Sequence, residues 1–400
     1  MPRFSPFPAA RYDTSRLDLA AVTSPPYDVI DDVERAGLAA RDPANAVHID
    51  LPVETDQLDR YQAARAQLDE WLDSGVLVRE TAPAFYGYRM SFVDAAGRTH
   101  RSTGVFGALE LSGPGEGHLL PHEHTTPKAK SDRLDLLRAC EANLSAIWGL
   151  SPSAGLTAAI GEPEPDAHTW SDDDGIDHTM WVIRDPDQMG AISAAVQANP
   201  VVIADGHHRY ETSLQYRDER RAASSDGSAG DAEAAMFLVV ELVADELVVL
   251  PIHRLINGLD TVDGLADRLA AWFEVGEDVD PTPTLLDQMI ERGHLVLVEP
   301  GRLRALHPRP GAFDHVRDLD TVRLDTALAG IGEVELSYQH GIDNVVRAVD
   351  DRAAQAGVLV RPVTVDQIAA TADGGERMPP KTTFFHPKPR TGVVFRVLDR

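Results

Sequence analysis

The chain has 400 residues, 43% of them hydrophobic and 25% charged, and carries a formal net charge of −27 at pH 7. That length supplies two or three domain-sized cores, while the charge, with no basic tail to offset it, argues against nucleic-acid or anionic-membrane partners. No apolar run reaches the roughly 18 residues of a membrane span, the opening "MPRFSPFPAARYD" lacks the apolar stretch of a secretory signal, and the single Cys140 can form neither an intrachain disulfide nor a cysteine-based zinc site, so a cytoplasmic location is expected.

In chain order, the first motif is "SPPYDVI" (24–30), where Pro25-Pro26 fixes an extended turn that presents Tyr27 and Asp28. Asp28 is a candidate metal or base residue, or equally a structural one. "AVHIDL" (46–51) reads as a strand. "LDRYQAARAQLDEWLDSG" (58–75) reads as a helix capped by Asp56 and ended by Gly75. Strands follow at 82–94 and 102–111. "LLPHEHTTPKAKSDR" (119–133) is a proline-bounded loop before a helix over 131–148, capped by Ser131 or Asp132. In it, Glu123 is a candidate general base and His122 stands beside it. Lys130 and Arg133 can neutralise phosphoryl oxygens. Asn143, farther along, can reach a metal or substrate.

An acidic loop (161–175), a strand (180–185) and a helix (188–199) lead to "VVIADGHHRYETSLQY" (201–216). This is a β-branched strand, a turn at Asp205-Gly206, and a helix running to about Ala223 whose first residues are His207, His208 and Arg209. A helix start exposes unpaired N–H groups and partial positive charge. Gly206 lets a ligand approach the backbone. The two imidazoles and the guanidinium, which can grip phosphate bidentately, complete an anion pocket. Asp205 can hold a metal ion such as Mg²⁺, as can Glu123, or fix a histidine tautomer.

The small polar "SSDGSAGDAEA" (224–234) reads as a lid or as the boundary between an N-terminal α/β domain (1–223) and a C-terminal α/β domain (235–400). Strands are expected at 235–242, 246–255, 294–301 and 392–398. "LPIHRLI" places His253 and Arg254 in an apolar strand, where a satisfied structural position is expected. "ERMPPKTTFFHPKP" aims Lys381, Thr382 and Thr383 at a phosphate or carboxylate. No repeat of fixed period is present. The whole reads as α+β, a mixture of helices and strands.

Of 37 basic side chains only four are lysines: Lys128, Lys130, Lys381 and Lys388. Arginine carries almost all the positive charge, so the surviving lysines mark 121–133 and 377–389 as segments with specific work.

On "SPPYDVI", "LLPHEHT", "KSDRLDLLRACEANLS", "ADGHHRYET", "LPIHRLI" and "GERMPPKTTFFHPKP", the chain resembles, along its whole length, the prokaryotic domain-of-unknown-function family 1015. The "DGHHR" signature (205–209) is also similar to the phosphate-binding motif of the ParB/sulfiredoxin superfamily, which includes CTP-dependent partition proteins, sulfiredoxins and free-serine kinases. That resemblance implies a ParB/sulfiredoxin-like α/β core with a second α/β unit, and nucleotide phosphates on His207, His208 and Arg209. Two relatives fit poorly. Where sulfiredoxin has its reactive cysteine this chain has His207, and no basic helix-turn-helix is present. The free-serine kinases are the nearest functional model.

The expectation is therefore a phosphotransferase using ATP or ADP with Mg²⁺ on a small hydroxyl-bearing metabolite. A phosphatase or nucleotidase built from the same parts, a zinc or manganese hydrolase using His122, His124, His207, His208, Asp205 and Glu123, and a non-catalytic nucleotide-responsive regulator stay open.

Overall fold

The computed structural model describes residues 2–113, 115–121, 128–259, 261–262, 264–374 and 378–399, with the backbone alone at 128–130 and 372–373. His122, Glu123, His124, Thr125 and Thr126 lie outside the described residues, as do Glu376 and Arg377.

The first sheet is built from β1 (Phe4–Ser5), β2 (Phe85–Val93), β3 (Thr99–Glu110), β4 (Leu119–Pro121), β5 (Ile147–Ser151), β6 (His168–Ser171), β7 (Asp177–Ile183), β8 (Val201–Asp205) and β9 (Ala234–Glu241). Its order is β4-β8-β5-β9-β3-β2-β7-β6, with β1 paired to the end of β3. The β4–β8 and β5–β9 pairs are parallel and the others antiparallel. Around it pack α1 (Arg60–Asp73), α2 (Lys128–Cys140), α3 (Pro186–Gln197) and α4 (His207–Ala223). β8 is apolar from Val201 to Ala204 because both its faces are covered: Val202 and Ala204 enter one core, Val201 and Ile203 the other. Gly87 on β2 lies against the Trp181 ring, which a Cβ would approach to 2.2 Å.

The second sheet contains β11 (His253–Asn257), β12 (Phe273–Asp278), β13 (Leu295–Glu299), β14 (Arg302–Pro308), β15 (Glu335–Gln339) and β16 (Ala356–Leu359), all antiparallel in the order β12-β14-β13-β16-β11-β15. α5 (Leu285–Arg292) and α7 (Ile342–Asp350) cover one face and α6 (Asp320–Ala329) the other. A two-stranded ribbon, β10 (Val248–Pro251) with β17 (Thr383–His386), lies beside both sheets in sequence and returns the chain to the first one.

The α+β architecture expected from the sequence is present, but its divisions differ. Residues 224–234 are not where the sheets part, because β9 lies in the middle of the first sheet. The C-terminal segment also rejoins that sheet: Phe395 bridges Ala10, Thr391 bridges Ser24, and Val393, Val394 and Phe395 are buried in its core. "AVHIDL" forms a helical turn, Val47–Asp50, instead of a strand. The Asn45 carboxamide accepts from the Val47 N–H (3.0 Å) and donates to the Ala21 carbonyl (2.7 Å), and among the described residues no strand pairs with this turn. α1 is capped by Asp59, in a capping box with Gln62, and not by Asp56. α2 begins at Lys128 and ends at Cys140, so Ser131 and Asp132 lie inside it. The apolar run 246–255 is two strands broken at Ile252.

Candidate functional site

β8 delivers Asp205 to the end of the sheet, and the chain turns at Gly206 into α4. Gly206 has φ +88°, and a Cβ there would come within 2.9 Å of Arg209 Nε, so only glycine suits the turn. It is also the N-cap of α4, and no side chain caps this helix start. Tyr210 and Leu214 anchor the helix in the core, with Tyr210 Oη donating to the Ser112 carbonyl (2.7 Å).

Three distant segments converge on the turn. Pro25-Pro26 leads into a single helical turn, Tyr27–Val29, which brings Asp28 close. The residues after β17 bring Lys388. Its ammonium donates to Asp28 Oδ2 (2.6 Å) and Asp205 Oδ1 (3.1 Å), and lies 5.8 Å from the Phe384 ring centre. Arg209 donates to Asp205 Oδ2 (2.6 Å) and to the Ala146 carbonyl. On α2, Arg133 stacks over Tyr27 (4.3 Å), whose ring also faces Arg209 (5.8 Å). Arg133 holds the Asp50 carbonyl (2.7 Å) and Asp132 (2.7 Å).

The charges explain one another. Burial alone would raise the Asp205 carboxyl, but Lys388 and Arg209 overcome it and hold Asp205 well below the ordinary carboxylate range. Burial likewise works against the Lys388 ammonium, yet Asp205 and Asp28 hold its pKa above the usual value. Asp50, wholly buried, is raised by desolvation despite Arg133 and Arg209. Two nitrogens stay buried without a hydrogen-bond partner: His208 Nε2 and Arg209 Nε. A small cavity of about 50 Å³ lies beside Arg209, lined also by Asp50, Arg133 and Thr212, whose hydroxyl is unpartnered.

The predicted residues divide accordingly. Asp28, Asp205, Gly206 and Arg209 come together, with His207 and His208 on the first turn of α4. Both terminal nitrogens of Arg209 already bind protein, so it offers a ligand Nε and not the expected bidentate fork. Asp205 does not fit a metal ligand, since each of its oxygens already accepts from a cation. Among the described residues no group of three His, Cys, Asp or Glu is arranged to hold a metal ion. Glu123, the other proposed metal residue, is outside them.

Arg133 is committed to Asp50 and Asp132. Asn143 accepts from Met236 N (3.0 Å) and Arg396 (3.3 Å), tying the C-terminal segment to β9. Thr382 is buried and donates to the Pro379 carbonyl (2.7 Å). Thr383 lies in β17 opposite Pro251. Lys381 has a left-handed backbone, and its carbonyl accepts from Arg254 (3.0 Å). The Lys130 side chain is not described. His253 and Arg254 are buried and structural as expected, with His253 Nδ1 accepting from Val360 N (3.2 Å) and burial pushing its pKa down to about 3. Sequence reasoning left out Lys388 and Asp50. The scarcity of lysine did mark Lys388, whereas nothing marked Asp50.

The chain belongs to the family described as protein of unknown function (DUF1015), whose sequence profile matches residues 4–325. None of the curated proteins matches it. Among solved structures it is similar to a free serine kinase in complex with AMP, at 14% identity over 70% of this chain and 86% of that one, with a TM-score of 0.37. A conserved hypothetical protein from Pyrococcus furiosus shares 13% identity over 74% and 95% (TM-score 0.37). SbnI from Staphylococcus aureus, truncated at its C-terminus, shares 9% over 73% and 87% (TM-score 0.41).

Proposed function

We propose that this member of the family is a nucleotide-dependent phosphotransferase whose nucleotide phosphates rest on the start of α4. The carrying observation is the helix start itself. It has a left-handed glycine in place of a capping side chain, two histidines on its first turn, and buried His208 Nε2 and Arg209 Nε without partners. An anion satisfies all of these at once: backbone N–H groups, helix dipole and side-chain nitrogens.

In this reading His207 and His208 hold the phosphates, and Arg209 braces the turn through Asp205. Lys388 swings on its flexible stem from Asp28 towards the transferred phosphoryl group and neutralises charge there. The nucleotide's terminal P–O bond breaks, and a new P–O bond forms to the acceptor oxygen. The acceptor's proton passes to a carboxylate. Asp28, released by Lys388, is one candidate. Glu123 is the other; it follows Pro121 in sequence, which pairs with Ile203 in the middle of β8. His122 and Lys130 remain proposed catalytic groups, and Lys381 and Thr383 proposed substrate contacts. Mg²⁺ would enter with the nucleotide.

The test is consumption of ATP or ADP with Mg²⁺ in the presence of small hydroxyl metabolites, free serine first. Acceptor-dependent turnover is expected, with Asp28→Asn or Glu123→Gln at least tenfold slower and still able to bind nucleotide. Phosphate release without any acceptor would indicate a phosphatase. Absence of nucleotide binding would refute both readings.

A further inference from the structure

A second cleft, of about 480 Å³, lies between the ribbon and the second sheet. Leu250 of β10, Leu286 of α5 and Ile342 of α7 give it apolar walls, with His340, Asp343 and Arg347 as its polar and charged neighbours. Its size and mixed lining are those of a small-molecule pocket, and such pockets favour places where units meet.

The cleft is joined to the start of α4 by a short series of contacts. The His340 ring lies 4.1 Å from Phe384, Phe384 lies 5.8 Å from the Lys388 ammonium, and that ammonium lies 3.1 Å from Asp205. His340 has its pKa lowered by burial and then by the charges of Lys381 and Lys388, so it faces the same basic field. Arg347 and Asp343 both line the cleft and balance each other, so it holds no surplus cation for a phosphate among its otherwise apolar walls. A flat heteroaromatic ring does suit them, and the His340 ring, itself packed on Phe384, offers a ring surface in the lining. An acceptor hydroxyl must sit next to the transferred phosphorus, near Lys388. A group in the cleft lies beyond His340 and reaches the helix start only if a linker connects it to phosphates.

We infer that this cleft receives the base and sugar of a nucleotide whose phosphates occupy the start of α4. The inference rests on the nucleotide reading above, and pyrophosphate separates the two. Calorimetric titrations would use ATP, ADP and inorganic pyrophosphate, each with Mg²⁺. The proteins would be the intact wild type and two filling variants on the α7 wall, Ile342→Trp and Asn344→Trp, each checked by thermal melting.

The expected result is at least a tenfold loss of ATP and ADP affinity in a variant that melts like the wild type, with pyrophosphate affinity unchanged. Unchanged nucleotide affinity in both folded variants would overturn the cleft's role and leave the phosphate site standing. Equal losses for pyrophosphate and nucleotide would also overturn it, since the cleft would then not be distinct from the phosphate site. A wild type that binds pyrophosphate but neither nucleotide refutes the cleft's role. One that binds none of the three ligands refutes the nucleotide reading and the cleft with it.

Discussion

Lys388 is the residue on which the local electrostatics turn. It is 12% exposed at its side chain and stands between two carboxylates. Replacing it by methionine leaves Asp28 and Asp205 facing each other with Arg209 as the remaining counter-charge. Breaking a buried pair from one side costs about 3–5 kcal/mol, so Lys388→Met should lower unfolding stability by that order in urea titrations at pH 7. The pH dependence should differ in sign from that of the wild type. In the wild type, Asp205 has a depressed folded pKa, so its contribution is present above the ordinary carboxylate value and is lost only in strong acid. In the variant, desolvation dominates and the folded pKa rises, so stability should recover as pH falls from 8 to 5. A variant least stable at pH 5 would contradict this account of the charges. Gly206→Ala has a simpler cause. A Cβ at φ +88° and 2.9 Å from Arg209 Nε should cost about 1–3 kcal/mol and displace the guanidinium, measurable as a lowered Tm together with weaker nucleotide binding.

At the scale of elements, the site depends on the C-terminal segment. Arg390 is buried, donates to the Thr23 carbonyl (3.0 Å) and to Asp172 (3.3 Å), and its backbone N–H donates to Tyr88 Oη (3.3 Å). Asp172 in turn accepts from His178 (3.0 Å), so Arg390 joins the segment to β2 through its backbone N–H and to β7 through its guanidinium. Arg390→Ala should destabilise the first unit by about 3–5 kcal/mol, and a loss below 1 kcal/mol in chemical denaturation would show the network to be dispensable. β8 and α4 were legible in the sequence because their signal is local: a strand covered on both faces reads as a continuous apolar run, and the glycine marks the turn. The helical turn bearing Asp50 was not. A short apolar run fits strand and helix equally, and what fastens this one is the Asn45 carboxamide, bonded locally to Val47 N and across the chain to the Ala21 carbonyl. β9 in the first sheet, and the return of residues 391–397 to it, depend on pairings across more than a hundred residues that leave no local pattern. Arg133 and Asn143 have the residue types of ligand contacts, yet the fold uses them to fasten segments together.

At the scale of the molecule, a net charge of −27 predicts strong self-repulsion. Screening weakens that repulsion, so the melting temperature should rise between 25 and 300 mM salt, on the order of several degrees, because the Debye length falls to about 10 Å by 0.1 M. A fall would place the electrostatic balance in the internal ion pairs instead. The same field should exclude nucleic acid even at low salt, which a filter-binding assay checks. Against that background the start of α4 is the proposed seat of an anion. Calorimetric titration of Mg²⁺-ADP into the wild type and the His207→Ala/His208→Ala double variant tests this most directly. A wild type that binds, with affinity at least tenfold weaker in a variant of equal melting temperature, is the predicted result; identical binding by the two proteins would contradict it.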